Sequence, residues 1–224
     1  MLIRHYINLH KFLTPFAVLA MMGYYDNWTV GPFVYLALHG TYGFLWLIKE
    51  ATFRDASFEK PIHPVMGWIT LFGLLASYWV APWILISAAK TPPPWLIGLA
   101  VSINIFGVFF HFASDAYKHA TLSLKKGLIT EQLFARCRNP NYLGEMLIYG
   151  GFALLAMSWI PFAILAFWWS LFVVNAAKKD KSISRHPGFD AWKQRSWLLF
   201  PNPFAAKPKG DAGSVAEPAS GASG

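Results

Sequence analysis

Six apolar runs occupy most of this 224-residue chain, each close to the roughly 20 residues an α-helix needs to cross the hydrocarbon of a bilayer. They cover residues 12–25, 28–48, 65–89, 95–113, 143–159 and 160–177. Such runs restrict the fold to membrane helices, because in lipid each backbone amide must be satisfied within its own segment. Composition agrees, with 55% hydrophobic and only 13% charged residues, roughly half the charge share of a soluble domain. The last two runs meet at Ser158-Trp159-Ile160-Pro161, where Pro favours a new helix start, so a tight hairpin is expected there. The first run is short, and laid in the interface it would leave five spans.

Charge placement argues for six. Lys and Arg are retained on the cytoplasmic side, and in a six-span arrangement every one of them except Lys90 falls on one side. Both termini are then cytoplasmic, and Trp28, Trp83, Trp95 and Trp159 form an aromatic belt at the far interface. The net charge of +8 lies between apolar runs rather than on one face, so no nucleic-acid partner is expected. No convincing small-residue cleavage site follows the N-terminal run, so it is read as retained in the mature protein. The Lys90-Thr91-Pro92-Pro93-Pro94 loop reads as a stiff turn. Gly40, Gly43, Gly73, Gly98, Gly107, Gly150 and Gly151 read as helix contact points. The segment from Ala205 is too poor in apolar residues to order itself.

The expected fold class is therefore an all-α, multi-pass integral membrane protein of about six helices. A cytoplasmic cap is formed by the 114–142 loop and the chain through Pro203. Residues 1–99 form the substrate side, 100–203 a cofactor-binding membrane domain, and 204–224 a disordered tail. Oligomeric state is not readable.

Polar residues concentrate between the fourth and fifth runs. Asp115 and Lys118 share a helix face, for which a local ion pair is the plain explanation. Arg138-Asn139-Pro140-Asn141-Tyr142-Leu143-Gly144-Glu145 is richer. Pro140 halts a preceding helix, Asn141 is a good cap for one opening at Tyr142, and Glu145 meets the positive end of its dipole. A helix mouth crowded with Arg and amide side chains at a membrane surface suits an anion or a cofactor phosphate.

The 138–145 string, with Asp115, Lys118 and Gly127-Leu128-Ile129 before it, resembles the C-terminal domain of the steroid 5α-reductases and related bacterial membrane proteins. Arg185-His186-Pro187-Gly188-Phe189, Trp192, Arg195-Ser196 and Pro201 are similar to the motif that closes that domain. The resemblance covers roughly residues 100–203. Isoprenylcysteine carboxyl methyltransferases and phospholipid methyltransferases share the architecture, but Asn141 followed by Tyr142 to Glu145 fits the reductase pattern better.

The resemblance implies an NADPH-dependent reductase of a lipid, sterol or isoprenoid carbon–carbon double bond, with a lipid-phase substrate and a cytoplasm-facing active site. The alternatives are an S-adenosylmethionine-dependent methyltransferase of a lipid or prenylated substrate, and a non-catalytic membrane scaffold. By the same resemblance Asp115, Asn141, Tyr142 and Glu145 contact the cofactor, and Arg138, Arg185 and Arg195 meet its phosphates. The chain departs from the family at Lys178-Lys179-Asp180-Lys181, where Asp180 stands in for a usual Glu, and at Gly40 and Phe44, where Arg and Tyr are usual.

Other candidates come from the residues themselves. Tyr42 is the best acid by chemistry, a membrane-embedded phenol near His39, although both could simply bond neighbouring helices. His111, one turn before Asp115 inside the fourth run, faces the proposed cofactor mouth. Glu50 reads as a solvated partner of Lys49 or Arg54. His5, His10, His63 and His119 lie in or near loops without metal-ligand spacing, and no metal is expected. Cys137, between two Arg, is expected to have a lowered pKa, without a base to make it a nucleophile.

Overall fold

The computed structural model describes residues 1–205, and the expected disordered tail lies otherwise outside the described residues. Long helices α1 (Ile3–Tyr24) and α2 (Val30–Thr52) are followed by a broken rod. That rod runs from α3 (Pro64–Ile69) through a π turn (Thr70–Leu74) and a 3₁₀ turn (Leu75–Trp79) into α4 (Val80–Ser87). After it come α5 (Pro94–Leu124), α6 (Pro140–Leu155), α7 (Trp159–Ile183) and the short α8 (Phe189–Arg195). No strand occurs among the described residues, so the protein is all-helical.

Pro64–Ser87, Pro94–Leu124 and Trp159–Ile183 are long and apolar enough to cross a membrane. On α5, Ile105, Phe106 and Phe109 are each more than half exposed, an apolar surface of the kind that suits lipid. The chain is an integral membrane protein.

Several expectations move. The first helix begins at Ile3 and has 22 residues, longer than the apolar run alone, and His5 and His10 lie within it rather than near a loop. His10 is fully buried and stacks on Trp79 at 5.2 Å. At 31 residues, α5 is about 46 Å long, so it carries Ser114 to Leu124 beyond the hydrocarbon as helix, where a loop was expected. Helix α6 opens with Pro140 at its first position and Asn139 as cap, not Asn141, because a fixed φ and a missing N–H suit that place. The hairpin falls where expected, with the Ser158 hydroxyl accepting from the Ile160 amide at 3.3 Å.

Glycines set the closest helix crossing. A Cβ on Gly144 would collide with the His111 backbone nitrogen, one on Gly107 would lie 2.7 Å from the Gly144 oxygen, and one on Gly151 2.8 Å from the Ala100 oxygen. Backbone meets backbone along α5 and α6, as small residues permit. Gly43 seats α2 against the Lys11 carbonyl in the same way, whereas Gly98 and Gly150 face open space and are not contact points. The proline loop does more than turn the chain. Pro92 packs on Gly31, and Lys90 donates to the Met157 carbonyl at 2.7 Å, which ties two turns together.

The main core combines Val18, Met22, Tyr35 and Tyr42 with Ile148, Tyr149, Phe152 and Leu165, so N-terminal and C-terminal helices share it. A second cluster of Phe134, Phe189 and Trp192 builds the cap, where the Trp192 indole donates to the Phe134 carbonyl at 2.8 Å. Gly188, at φ 83°, makes the left-handed turn that admits α8.

Candidate active site

A cavity of about 650 Å³ lies among α1, the broken rod, α6 and α7. Asn141, Glu145 and Tyr149 line it from α6, spaced four residues apart and therefore on one helix face. Tyr142 joins them and stacks on Phe172 of α7 at 5.1 Å. Ile7, Leu75, Trp168 and Leu171 supply apolar wall, and Lys60, Lys118 and Lys179 line it as well. A neighbouring hollow of about 270 Å³ shares Asp55 and Lys118 with it and adds Lys49, Arg54, Asp115 and His119.

Four polar groups meet at the inner wall. The Tyr42 hydroxyl donates to Glu145 Oε1 at 3.4 Å, and Lys11 Nζ donates to the Tyr149 hydroxyl. The ammonium also sits 4.3 Å from the Tyr42 ring centre and 5.1 Å from those of Trp46 and Tyr149, a cation–π cage. Lys11 counts in the sequence only as a topology-setting base, because the apolar run opens at residue 12 whereas the helix starts at Ile3. Tyr149 was readable as the next step of the Asn141, Glu145 spacing.

His39 is brought to the same core but not to the cavity. Its Nδ1 pairs with the Tyr35 hydroxyl at 3.0 Å, its ring stacks on Phe152 at 4.2 Å, and its centre is 6.5 Å from that of Tyr42. His111 sets Nδ1 3.3 Å from the Asn141 carbonyl and stacks on Trp46, with Nε2 buried and unpaired. Asp115 pairs with Lys49 at 3.2 Å and Lys118 at 3.7 Å. Glu50, expected to be solvated, is buried 3.7 Å from Lys49, because α2 continues past it to Thr52 and turns it inward. The Asp55 carboxyl is held below its ordinary range: burial alone would raise it, but Lys118 and the Ser57 amide outweigh that.

Arg138, Asp180, Arg185 and Arg195 are not brought to the cavity. Arg138 Nε holds Asp180 at 2.8 Å and its Nη1 donates to the Ser196 carbonyl, so this guanidinium stitches α7 to the chain after α8. Arg185 is exposed and Arg195 half-buried on the cap. Lys179 reaches in instead, donating to Asn139 Oδ1 at 3.0 Å while lining the cavity. Cys137 reverses its expectation. It is buried, with its thiol donating to the Leu199 carbonyl at 3.2 Å, and burial pushes it up to about 11 against the opposing pull of the Asn139 amide, Lys179 and Arg138.

These features define an integral membrane protein whose polar chemistry is gathered in a cavity with one apolar and one cationic side. The model of the 3-oxo-5-alpha-steroid 4-dehydrogenase family matches residues 54–202, two thirds of the chain, and the protein belongs to that family of oxidoreductases acting on carbon–carbon double bonds. No curated protein matches the chain. The family match begins after α1 and α2, so Lys11, His39 and Tyr42 stand outside it.

Proposed function

We propose that the protein is an NADPH-dependent membrane reductase that saturates a carbon–carbon double bond of a lipid-phase, steroid-like or isoprenoid substrate. We read six membrane helices with both termini and the cationic mouth cytoplasmic, supported by the placement of every Lys and Arg except Lys90 on that side.

The observation that carries the reading is the cavity itself, where an amide with a buried, unpaired oxygen, Asn141 Oδ1, stands between apolar wall and lysines. A cofactor with an amide-bearing ring and several phosphates matches that donor set. Asn141, Tyr142 and Glu145 would hold its ring end, and Lys118 and Lys179 its phosphates, with Asp115 and His111 fixing Lys118 and Asn141 from behind. When bound, the reduced nicotinamide supplies a hydride. Tyr42 holds the proton, and Glu145, bonded to it and lining the cavity, links that phenol to the substrate. Trp168 and Phe172 exclude water from the reacting carbons.

Thermal stabilisation of the detergent-purified protein by NADPH, NADH and S-adenosylmethionine tests the reading, since a ligand bound to the native state raises its stability by mass action. Stabilisation by NADPH is expected. Stabilisation by S-adenosylmethionine alone would replace the reductase with a lipid methyltransferase, and a response to none would leave a scaffold.

A further inference from the structure

The chain from Ser196 to Phe204 packs one set of side chains inward and leaves another outside. Ser196, Leu199 and Asn202 are buried, whereas Trp197, Phe200 and Phe204 are 46%, 54% and 86% exposed. The rings of Trp197 and Phe204 lie 6.4 Å apart, centre to centre, so these two form one apolar surface. Three large aromatic side chains turned outward in so short a stretch mark a place of contact rather than a face meant for water.

The backbone that carries them is pinned. The amides of Trp197 and Asn202 both donate to the Arg136 carbonyl, at 3.2 and 2.9 Å, and the Arg138 amide donates to the Trp197 carbonyl at 2.9 Å. Asn139 Nδ2 donates to the Leu198 carbonyl at 2.9 Å. The same bonds fix the level of the segment in the membrane. Its partners end where α6 opens at Pro140, and the apolar run of that helix starts at residue 143, about 5 Å further along the axis. The headgroup layer outside the hydrocarbon is itself roughly 5–8 Å deep on each side. The exposed aromatics therefore stand beside the helix mouth at headgroup depth, continuous with the lipid-facing surface of the bundle.

Charge agrees with that position. Lys181 of α7 and Lys193 of α8 share a hollow of about 390 Å³ with Leu198 of this segment. Both are exposed, and among the described residues neither has a carboxylate within 4.0 Å. Asp180, in the same hollow, is held by Arg138, and the exposed Asp190 is one carboxylate against Lys181, Arg185 and Lys193. Aromatic rings settle at the boundary of acyl chains and headgroups, and ammonium groups beside them meet lipid phosphates.

We propose that residues 196–204 are an interfacial anchor: Trp197, Phe200 and Phe204 enter the headgroup layer of the bilayer, and Lys181 and Lys193 give the contact a preference for anionic phospholipid. The anchor goes beyond the reductase reading and holds whatever reaction the cavity carries. It also shares a residue with that cavity, since Asn139, which holds the Leu198 carbonyl, accepts from the cavity-lining Lys179 at 3.0 Å.

The experiment uses the full chain in phosphatidylcholine nanodiscs, with and without phosphatidylglycerol, and an environment-sensitive fluorophore on Pro203→Cys or on Lys126→Cys, two exposed positions. Native Cys137 is buried, and the unsubstituted chain serves as the labelling blank. Lipids with a nitroxide near the headgroup end of the acyl chain are expected to quench the label at 203 at least twofold more than the label at 126, which lies past the end of α5. The excess should grow with phosphatidylglycerol. Phe200→Ser combined with Phe204→Ser should remove the excess without moving the unfolding midpoint, and Lys181→Gln combined with Lys193→Gln should remove only its dependence on phosphatidylglycerol. Equal quenching at the two positions overturns the anchor. A label at 203 that is shielded from water yet untouched by nitroxide lipids also overturns it, and gives the aromatics to a protein partner; deletion of residues 206–224 then separates this chain's own end from a second copy. Quenching indifferent to phosphatidylglycerol overturns the part given to the lysines. If a substituted chain fails to fold, quenching of wild-type tryptophan by brominated lipid is compared with that of Trp197→Phe: a smaller quenchable fraction in the variant supports the anchor, and an unchanged one overturns it.

Discussion

Two buried cations, Arg138 in the cap and Lys11 in the bundle, have opposite neighbourhoods. Arg138 has a carboxylate and the Ser196 carbonyl within hydrogen-bond distance, both met by its planar fork of donors. Lys11 has one hydroxyl and three ring faces, with Glu145 acting on its charge from farther off. The first charge holds the fold together, while the second, with a single hydrogen-bond partner, lines a cavity. The same contrast separates the α5–α6 seam, where glycines let backbones touch, from the space between α1 and α7, where side chains stand apart around the cavity.

The largest expected effect breaks the first cation. Arg138→Ala strands Asp180 and the Ser196 carbonyl, and should cost about 3–5 kcal/mol of stability, read as a lowered unfolding midpoint in detergent. NADPH affinity of the folded fraction should stay within about twofold, since the guanidinium does not line the cavity; a large loss would return Arg138 to the cofactor site. Glu145→Gln should act the other way, weakening NADPH binding by about tenfold, or about 1.4 kcal/mol, with little change in melting.

The next effect depends on pH. The Cys137 thiol is pushed up to about 11 from an ordinary value of 9.0, so the native state holds its proton more tightly than the unfolded chain does. That contribution is complete below about pH 9 and is lost as pH rises towards 11. Wild type should therefore lose stability over that window relative to Cys137→Ser, and native Cys137 should resist alkylation at pH 8. The smallest effect belongs to the second cation. Lys11→Met exchanges an incompletely partnered charge for an apolar chain of similar length and should change stability by less than about 1 kcal/mol. A loss as large as that of Arg138→Ala would make Lys11 a structural residue and erase the contrast.

Much of the site was visible in the sequence through local spacing. Asn141, Tyr142 and Glu145 announced themselves as a helix mouth, and Asp115 and Lys118 as neighbours on one face; the structure keeps both groups together. The family resemblance assigns Arg138, Arg185 and Arg195 to cofactor phosphates, and nothing in one dimension reports that Asp180 and Ser196 already occupy Arg138. Cys137 departs from its expectation for a related reason. Flanking arginines lower a thiol that faces solvent, but the bridge of this segment to Trp197 buries it, and desolvation outweighs them.

Hydropathy and the distribution of Lys and Arg by themselves determined that this chain is helical and lies in a membrane, because both depend on the composition of contiguous segments. The motif from Arg138 to Glu145 likewise sufficed to indicate the family. Only the tertiary structure decided which charges are fully bonded and which are not, since that depends on groups brought together from opposite ends of the chain. Lys11 and Tyr149 are 138 residues apart and share a hydrogen bond. Close backbone approach of α2 to α1 at Gly43 and of α6 to α5 at Gly144 belongs to the same packing, which no local pattern encodes.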